Sequence, residues 1–251
     1  MKKALYDTFD YPKYWQGREY EDQAERMALQ KFFAQIPTSS RGSLIDIGGG
    51  FGRLANLYLP LFKRCLLVDP SKGLLRQAKK HLSRWTKVSF EEGSVEHIPA
   101  GPEKFDVALL VRVVHHLPDP SGAFLEAHRV LKPEGFFILE FANKIHFRAC
   151  LRAWNKTNFE FTRSFKPADQ STQGNEETKV PFLNHHPEVI KQKLATAGFK
   201  LIDCLSVSNF RFPILKKLLP LSFLLALESL SQKFLRFCHF GPSIFILCQK
   251  I

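Results

Sequence analysis

The 251-residue chain carries a formal net charge of +12, with 45% apolar residues, 24% charged residues and 24 phenylalanines. That length suits one large domain with a substantial buried core, and the ordinary charged share argues against an unfolded chain. The five cysteines (Cys65, Cys150, Cys204, Cys238, Cys248) form no CxxC pair, so neither a disulfide framework nor a zinc site is expected. Reduced thiols in a cytoplasmic protein are the simplest account.

The opening MKKALYDTFDYPKYW has two lysines and no apolar core, so it does not read as a secretory signal. It is rich in aromatics: Tyr6, Phe9, Tyr11, Tyr14 and Trp15, followed by Tyr20. A helix is expected from Glu19, with Ala24, Met27, Ala28 and Phe32 at three- and four-residue spacing. Pro37 ends it. The run SLIDI then leads straight into glycines, as a buried strand does. A helix over 52–59, the strand CLLVD, a helix over 71–84, the strands KVSFEE and FDVALLV, a helix over 121–131 and the strand FFILEF follow. This alternation of short apolar runs with helices predicts an α/β, doubly wound, mostly parallel sheet covered on both faces.

Beyond Asn143 the pattern loosens. Residues 144–160 read as helical, and Ser164–Lys179 as a polar loop or mobile lid. His186–Ala197 reads as a helix with Gly198 as its C′ residue. FKLIDCLSV and SIFILCQ are two late strands. Between them lies a Leu- and Phe-rich stretch, 212–237, broken by Pro213 and Pro220. Its longest apolar patch, Leu221–Leu227, is far short of the roughly 20 residues that span a bilayer. Positive charge is concentrated in this half: residues 144–251 hold 16 Lys/Arg against 7 Asp/Glu, whereas residues 1–143 hold 20 against 17. An anionic substrate, a membrane surface, nucleic acid or a merely solvated face all fit that surplus.

The chemistry-bearing motif is Asp46-Ile47-Gly48-Gly49-Gly50-Phe51-Gly52, at the end of the first strand. Gly48, Gly50 and Gly52 permit a sharp strand-to-helix turn and close approach of backbone to a ligand. Asp69 ends the next strand, 23 residues after Asp46, where a carboxylate can hold ribose hydroxyls. A dinucleotide and S-adenosylmethionine both fit these residues, since Gly50-Phe51-Gly52-Arg53-Leu54-Ala55 matches G-x-G-x-x-A.

Five segments, LIDIGGGFGRL, LLVDPS, EEGSVEHIPA, FDVALLVRVVHHLPDP and RVLKPEGFFILE, stand in the order of the class I methyltransferases. Over about residues 40–143 the chain resembles small-molecule members of that family, especially those related to quinone and lipid methylation. The resemblance implies a seven-stranded Rossmann-like sheet, S-adenosylmethionine as cofactor and S-adenosylhomocysteine as product. It places Asp46, Gly48, Gly50 and Gly52 along the methionine arm and Asp69 on the ribose. It sets Ser94 and Val95 at the adenine edge, and Val111 and Arg112 at the reacting end. Ser94 stands where an Asp is common. Arg112 is atypical, and either pairs with a carboxylate such as Glu140 or binds an acidic acceptor.

His115 and His116 are candidate general bases, with closure of the strand end as the alternative reading. Arg18 would meet the methionine carboxylate if the N-terminal helix crosses the cofactor; otherwise it stacks on aromatics or is solvated. His185 and His186 read as capping or surface residues. The whole chain is expected to be one methyltransferase domain, 1–251, with a cap from 1–36, 144–185 and 209–240. The expected partner is a small-molecule acceptor, apolar and acidic. No metal is expected, nor nucleic acid, since no base-handling motif or aromatic–basic strip is present. Peripheral membrane contact through Lys216, Lys217, Lys233 and Arg236, or a dimer face, is the competing use of 209–240. Rival functions are an NAD-dependent oxidoreductase, which would need a hydride-transfer site not evident here, and a non-catalytic nucleoside-binding module.

Overall fold

The computed structural model describes residues 11–171 and 181–251. Tyr6, Phe9, the first part of the 1–36 cap and residues 172–180 of the expected lid lie outside the described residues. Seven strands form one sheet: β1 Ser43–Ile47, β2 Arg64–Asp69, β3 Val88–Glu92, β4 Phe105–Leu110, β5 Leu131–Ala142, β6 Phe199–Val207 and β7 Ser243–Lys250. Their order is β3-β2-β1-β4-β5-β7-β6. Strands β1 to β5 are parallel, while β7 runs antiparallel between β5 and β6. Chain direction around β1 and β4 therefore creates a crevice outside the carboxyl ends, where ligands of open α/β sheets bind.

The period-2 alternation of the strands divides the core into two layers. Leu44, Leu67, Val107 and Ile138 face one layer; Ile45, Val68, Ala108 and Phe137 face the other. Helices α1 Glu19–Gln35, α2 Ala55–Tyr58 and α3 Lys72–His81 contribute to the first layer, for example through Phe32, Tyr58 and Ala78. Helices α4 Ser121–Val130 and α6 Pro187–Thr196 cover the second, while α5 Phe147–Asn155 follows β5. Asp46 falls on the first layer between Leu44 and Gly48, which sends its carboxylate into the core to Tyr58.

Three elements differ from the sequence reading. The helix expected over 52–59 is regular only at Ala55–Tyr58, because Gly52, at φ +80, sits in the turn that precedes it. The helical stretch at 144–160 breaks into Phe147–Asn155 and Phe159–Arg163, with Thr157 left-handed at φ +50 between them. Strand β5 begins at Leu131, well before FFILEF, and a register shift against β4 between Phe105 and Val107 absorbs the Pro133-Glu134 turn.

The stretch between β6 and β7 holds α7 Pro213–Leu218 and α8 Leu221–Phe234. Helix α8 lies against α1 and β6. Its buried Glu228 accepts from the Tyr20 hydroxyl at 2.6 Å and from the backbone N–H groups of Ser208 and Asn209 at 2.8 and 3.0 Å. Lys31 and Gln232 add a second seam: Lys31 Nζ donates to Ser229 O and Gln232 Nε2 donates to Ala24 O. The other face of α8 keeps Phe223, Leu230 and Phe234 exposed. No helix among the described residues is long and apolar enough to cross a membrane.

Replacing Glu228 with Ala strands two backbone donors and the Tyr20 hydroxyl in a buried place. At about 1–3 kcal/mol for each unsatisfied group, Glu228→Ala is expected to lose about 3 kcal/mol in urea unfolding. Glu228→Gln, which keeps an acceptor, is expected to lose much less.

Candidate functional site

The loop after β1 is shaped by what surrounds it. Gly48 sits at φ +75, and a Cβ there would come within 2.4 Å of Val113 Cγ2. At Gly49 a Cβ would meet Asp46 Oδ2 and Leu67 at 2.7 Å, so backbone packs directly on the strands here. At Gly50 a Cβ would meet nothing nearer than 3.8 Å; it would project into the open crevice beside Asp69 Oδ2.

The loop donors are largely spent. The N–H groups of Gly48 and Gly49 donate to Val68 O, that of Gly50 to Asp69 Oδ2 at 2.9 Å, and that of Gly52 to Gly49 O. Few remain for a pyrophosphate, the group for which a dinucleotide loop presents its N–H groups. Asp69 Oδ1 accepts from Ser71 N. A carboxylate can accept more than two hydrogen bonds, as binding of vicinal ribose hydroxyls requires. The turn holding Ser94 and Val95 lies next to it, since Gly93 N–H donates to Asp69 O. Val95 packs its side chain on the second core layer and Val111 packs in the first.

Asp46 lies beneath this loop rather than along it. Burial pushes its carboxyl up to about 7, with Asp69 adding to the rise and the Tyr58 hydroxyl, 3.0 Å away, opposing it. The Asp69 carboxylate and the few free donors make a crevice suited to a neutral nucleoside and a sulfonium cation.

Beside the crevice the structure assembles a cluster around Glu25, a residue that the sequence reading left out. Helix α1 directs Glu25, fully buried, between two guanidinium groups. Arg53, just past the glycine loop, reaches Glu25 Oε2 at 2.5 Å and also pairs with Asp22. Arg112, just past β4, reaches Glu25 Oε1 at 2.5 Å. The Trp15 ring lies over Arg53 at 3.7 Å and near Arg112 at 5.2 Å. The backbone N–H of Arg112 donates to Glu140 Oε2 at 3.0 Å, which holds the residue left-handed at φ +63. Burial opposes the charge on Arg112, yet Glu25 and Glu140 outweigh it and raise its pKa. Arg18 stacks on the Tyr14 ring at 4.0 Å. The signal for Glu25 was present: it shares a helical face with Glu21, Ala28 and Phe32.

On the far side of Arg112 a cavity of about 410 Å³ opens at the ends of β5, β6 and β7. Arg112, Arg148, Arg152, Arg211 and His146 supply the basic part of its polar lining; Phe147, Phe182, Phe212 and Phe240 supply ring faces. His115 and His116 are outside this lining. His115 is buried against Phe182 and His116, and its pKa falls well below the usual value through burial. His116 Nδ1 contacts Pro181 O at 2.8 Å. His185 is buried on Val114 O, and His186 accepts from Glu188 N to cap α6.

Residues 45–139 match the family model of the methyltransferase domain. They form a methyltransferase domain. The chain is 33% identical over 130 residues to the ubiquinone/menaquinone biosynthesis C-methyltransferase UbiE of Rickettsia bellii, across 47% of this chain and 51% of that protein. It is 32% identical over 98 residues to the uncharacterized methyltransferase YcgJ of Bacillus subtilis, across 38% and 39%. The matches thus span about half or less of these relatives' length. A SAM-dependent methyltransferase of Thermotoga maritima, described as a possible histamine N-methyltransferase, shares the fold with TM-score 0.61. It is 22% identical and covers 98% of this chain and 99% of its own. In this methyltransferase domain the matched residues include the glycine loop, Asp69 and Arg112, whereas Glu25 and most of the cavity lie outside them.

Two outcomes are expected. Glu25→Ala leaves Arg53 and Arg112 facing each other without their shared carboxylate, and loss of one partner of a buried pair costs about 3–5 kcal/mol, to be read by denaturant unfolding. For Asp46, a folded pKa near 7 against 3.8 unfolded means that stability is highest below the unfolded value and declines as pH rises through about 7. Asp46→Asn removes that decline. It is expected to raise the melting temperature at pH 8 and to match the parent protein near pH 4, with a ceiling of about 4 kcal/mol from 1.4 kcal/mol per pH unit.

Proposed function

We propose that this chain transfers the methyl group of S-adenosylmethionine to a small-molecule acceptor bound in the cavity beside Arg112. The observation that carries the reading is the glycine loop itself. Its N–H groups are committed to Val68, Asp69 and Gly49, while the space above Gly50 opens toward the Asp69 carboxylate. That set accepts hydroxyl donors and tolerates a cation; it does not cradle a pyrophosphate.

When bound, the cofactor supplies an electrophilic methyl on a sulfonium. The protein's part is chiefly alignment, for which effective molarities of about 10⁵ M or more are known. Arg112, pinned by Glu25 and Glu140, forms the wall between crevice and cavity. The segments 1–36, 144–185 and 209–240 serve as the cap. Support comes from His146, Phe182, Asn184, Asn209, Arg211 and Phe212, which belong to the latter two segments and line the cavity. The Phe faces suit an acceptor with an apolar body.

Calorimetric titration tests the reading. Micromolar binding of S-adenosylhomocysteine is expected, with no response to NADH; the reverse result removes it. Asp69→Ala removes two charged-acceptor hydrogen bonds of roughly 1.5–3 kcal/mol each. Binding should weaken at least tenfold, and the free protein should melt lower than the parent, because the N–H groups of Gly50 and Ser71 lose their acceptor.

A further inference from the structure

Among the described residues the cavity's charge is far out of balance. Of the four arginines that line it, Arg112 alone is fully matched, by Glu25. Arg211 Nε stands 3.9 Å from Glu21, and that carboxylate is already held at 3.0 Å by Lys216. Arg148 lies over the Phe212 ring at 5.4 Å. Among the described residues neither Arg148 nor Arg152 has an ion-pair partner. The acidic residue in the lining, Glu140, is engaged elsewhere: Oε1 accepts from the Ser243 hydroxyl at 2.5 Å, Oε2 from Arg112 N–H, and burial raises its pKa. The three incompletely matched arginines converge. His146, on the wall of the same cavity, is pushed down to about 4 by burial and then by Arg152, Arg211 and Arg148.

We infer that Arg148, Arg152 and Arg211 form an oxyanion subsite, so that the acceptor is a small amphipathic acid whose carboxylate or phosphate sits among them while its apolar body lies on the Phe faces. Guanidinium groups bind both oxyanions by paired N–H donors. A cavity of about 410 Å³ is in the range of small-molecule sites. The subsite rests on the methyl-transfer reading for the role of its ligand as acceptor, but not for its charge. Arg112 stands between this subsite and the donor crevice, so the anion anchors the end of the acceptor remote from the methyl.

The test titrates the full-length protein, with S-adenosylhomocysteine present, against benzoate, phenyl phosphate and neutral benzyl alcohol. Both anions are expected to bind at least tenfold more tightly than the alcohol. Their ratio identifies the preferred oxyanion. Binding should fall at least tenfold in the Arg148→Gln/Arg152→Gln variant and weaken with added salt. The His146 imidazole, followed by NMR, is expected to titrate at higher pH once the anion is bound, a response that loss of packing would not produce. Affinity for S-adenosylhomocysteine, read in the same cell, should stay within twofold. Its loss in the parent protein would remove the methyl-transfer reading and leave the subsite standing. Equal affinity for anions and alcohol, an unmoved His146, or binding to phosphatidylglycerol vesicles that neither anion displaces would overturn the subsite.

Discussion

The site depends on one buried carboxylate. Glu25 accepts from Arg53 at the start of the loop–helix turn and from Arg112 at the end of β4. Without it, two cations would face each other in a half-buried space at the topological switch of the sheet. A desolvated charge is tolerated only when paired and hydrogen-bonded, and here each partner brings further ties. Arg53 also meets Asp22 and the Trp15 ring, and Arg112 is fixed through its backbone to Glu140. The N-terminal helix is thereby part of the crevice wall rather than an ornament on the sheet.

A second buried carboxylate performs the matching task on the other side. Glu228 joins α8, the Tyr20 hydroxyl and the loop at Ser208 and Asn209, which borders the cavity. Ser208, like Arg112, is left-handed, at φ +63. Non-glycine residues persist in that conformation when their surroundings over-determine it, and such positions cluster at functional sites. In both cases a buried glutamate accepts the residue's own N–H. The cavity rim is thus rigid at two points where the backbone would otherwise relax.

Much of the sheet was legible because local and tertiary preferences agree there. SLIDI, CLLVD and FDVALLV are short, apolar and bounded by turn residues, and buried parallel strands require that. The glycine loop and Asp69 were legible because their backbone demands leave few residue choices. The arginine cavity was not. Arg148, Arg152 and Arg211 are separated by up to 63 residues in the chain and meet only after β5, β6 and β7 pair. Arg18 and Arg53 were hard to rank for the same reason. Any arginine near an aromatic cluster could have taken the place over Trp15, and the fold chose Arg53. Glu25 was overlooked because a glutamate on a helix is expected to face solvent; only its alignment with Ala28 and Phe32 hinted otherwise.

The seam between α1 and α8 also fixes when the site can come into being. Tyr20 and Glu228 are 208 positions apart, as are Gln232 and Ala24. Contacts of such long range are the slowest to close, because the entropy of the intervening chain is lost before they reward it. During synthesis α1 must wait for the much later α8. The parallel core can therefore collapse early with its rim still unassembled, and the rim is completed only after α8 has emerged.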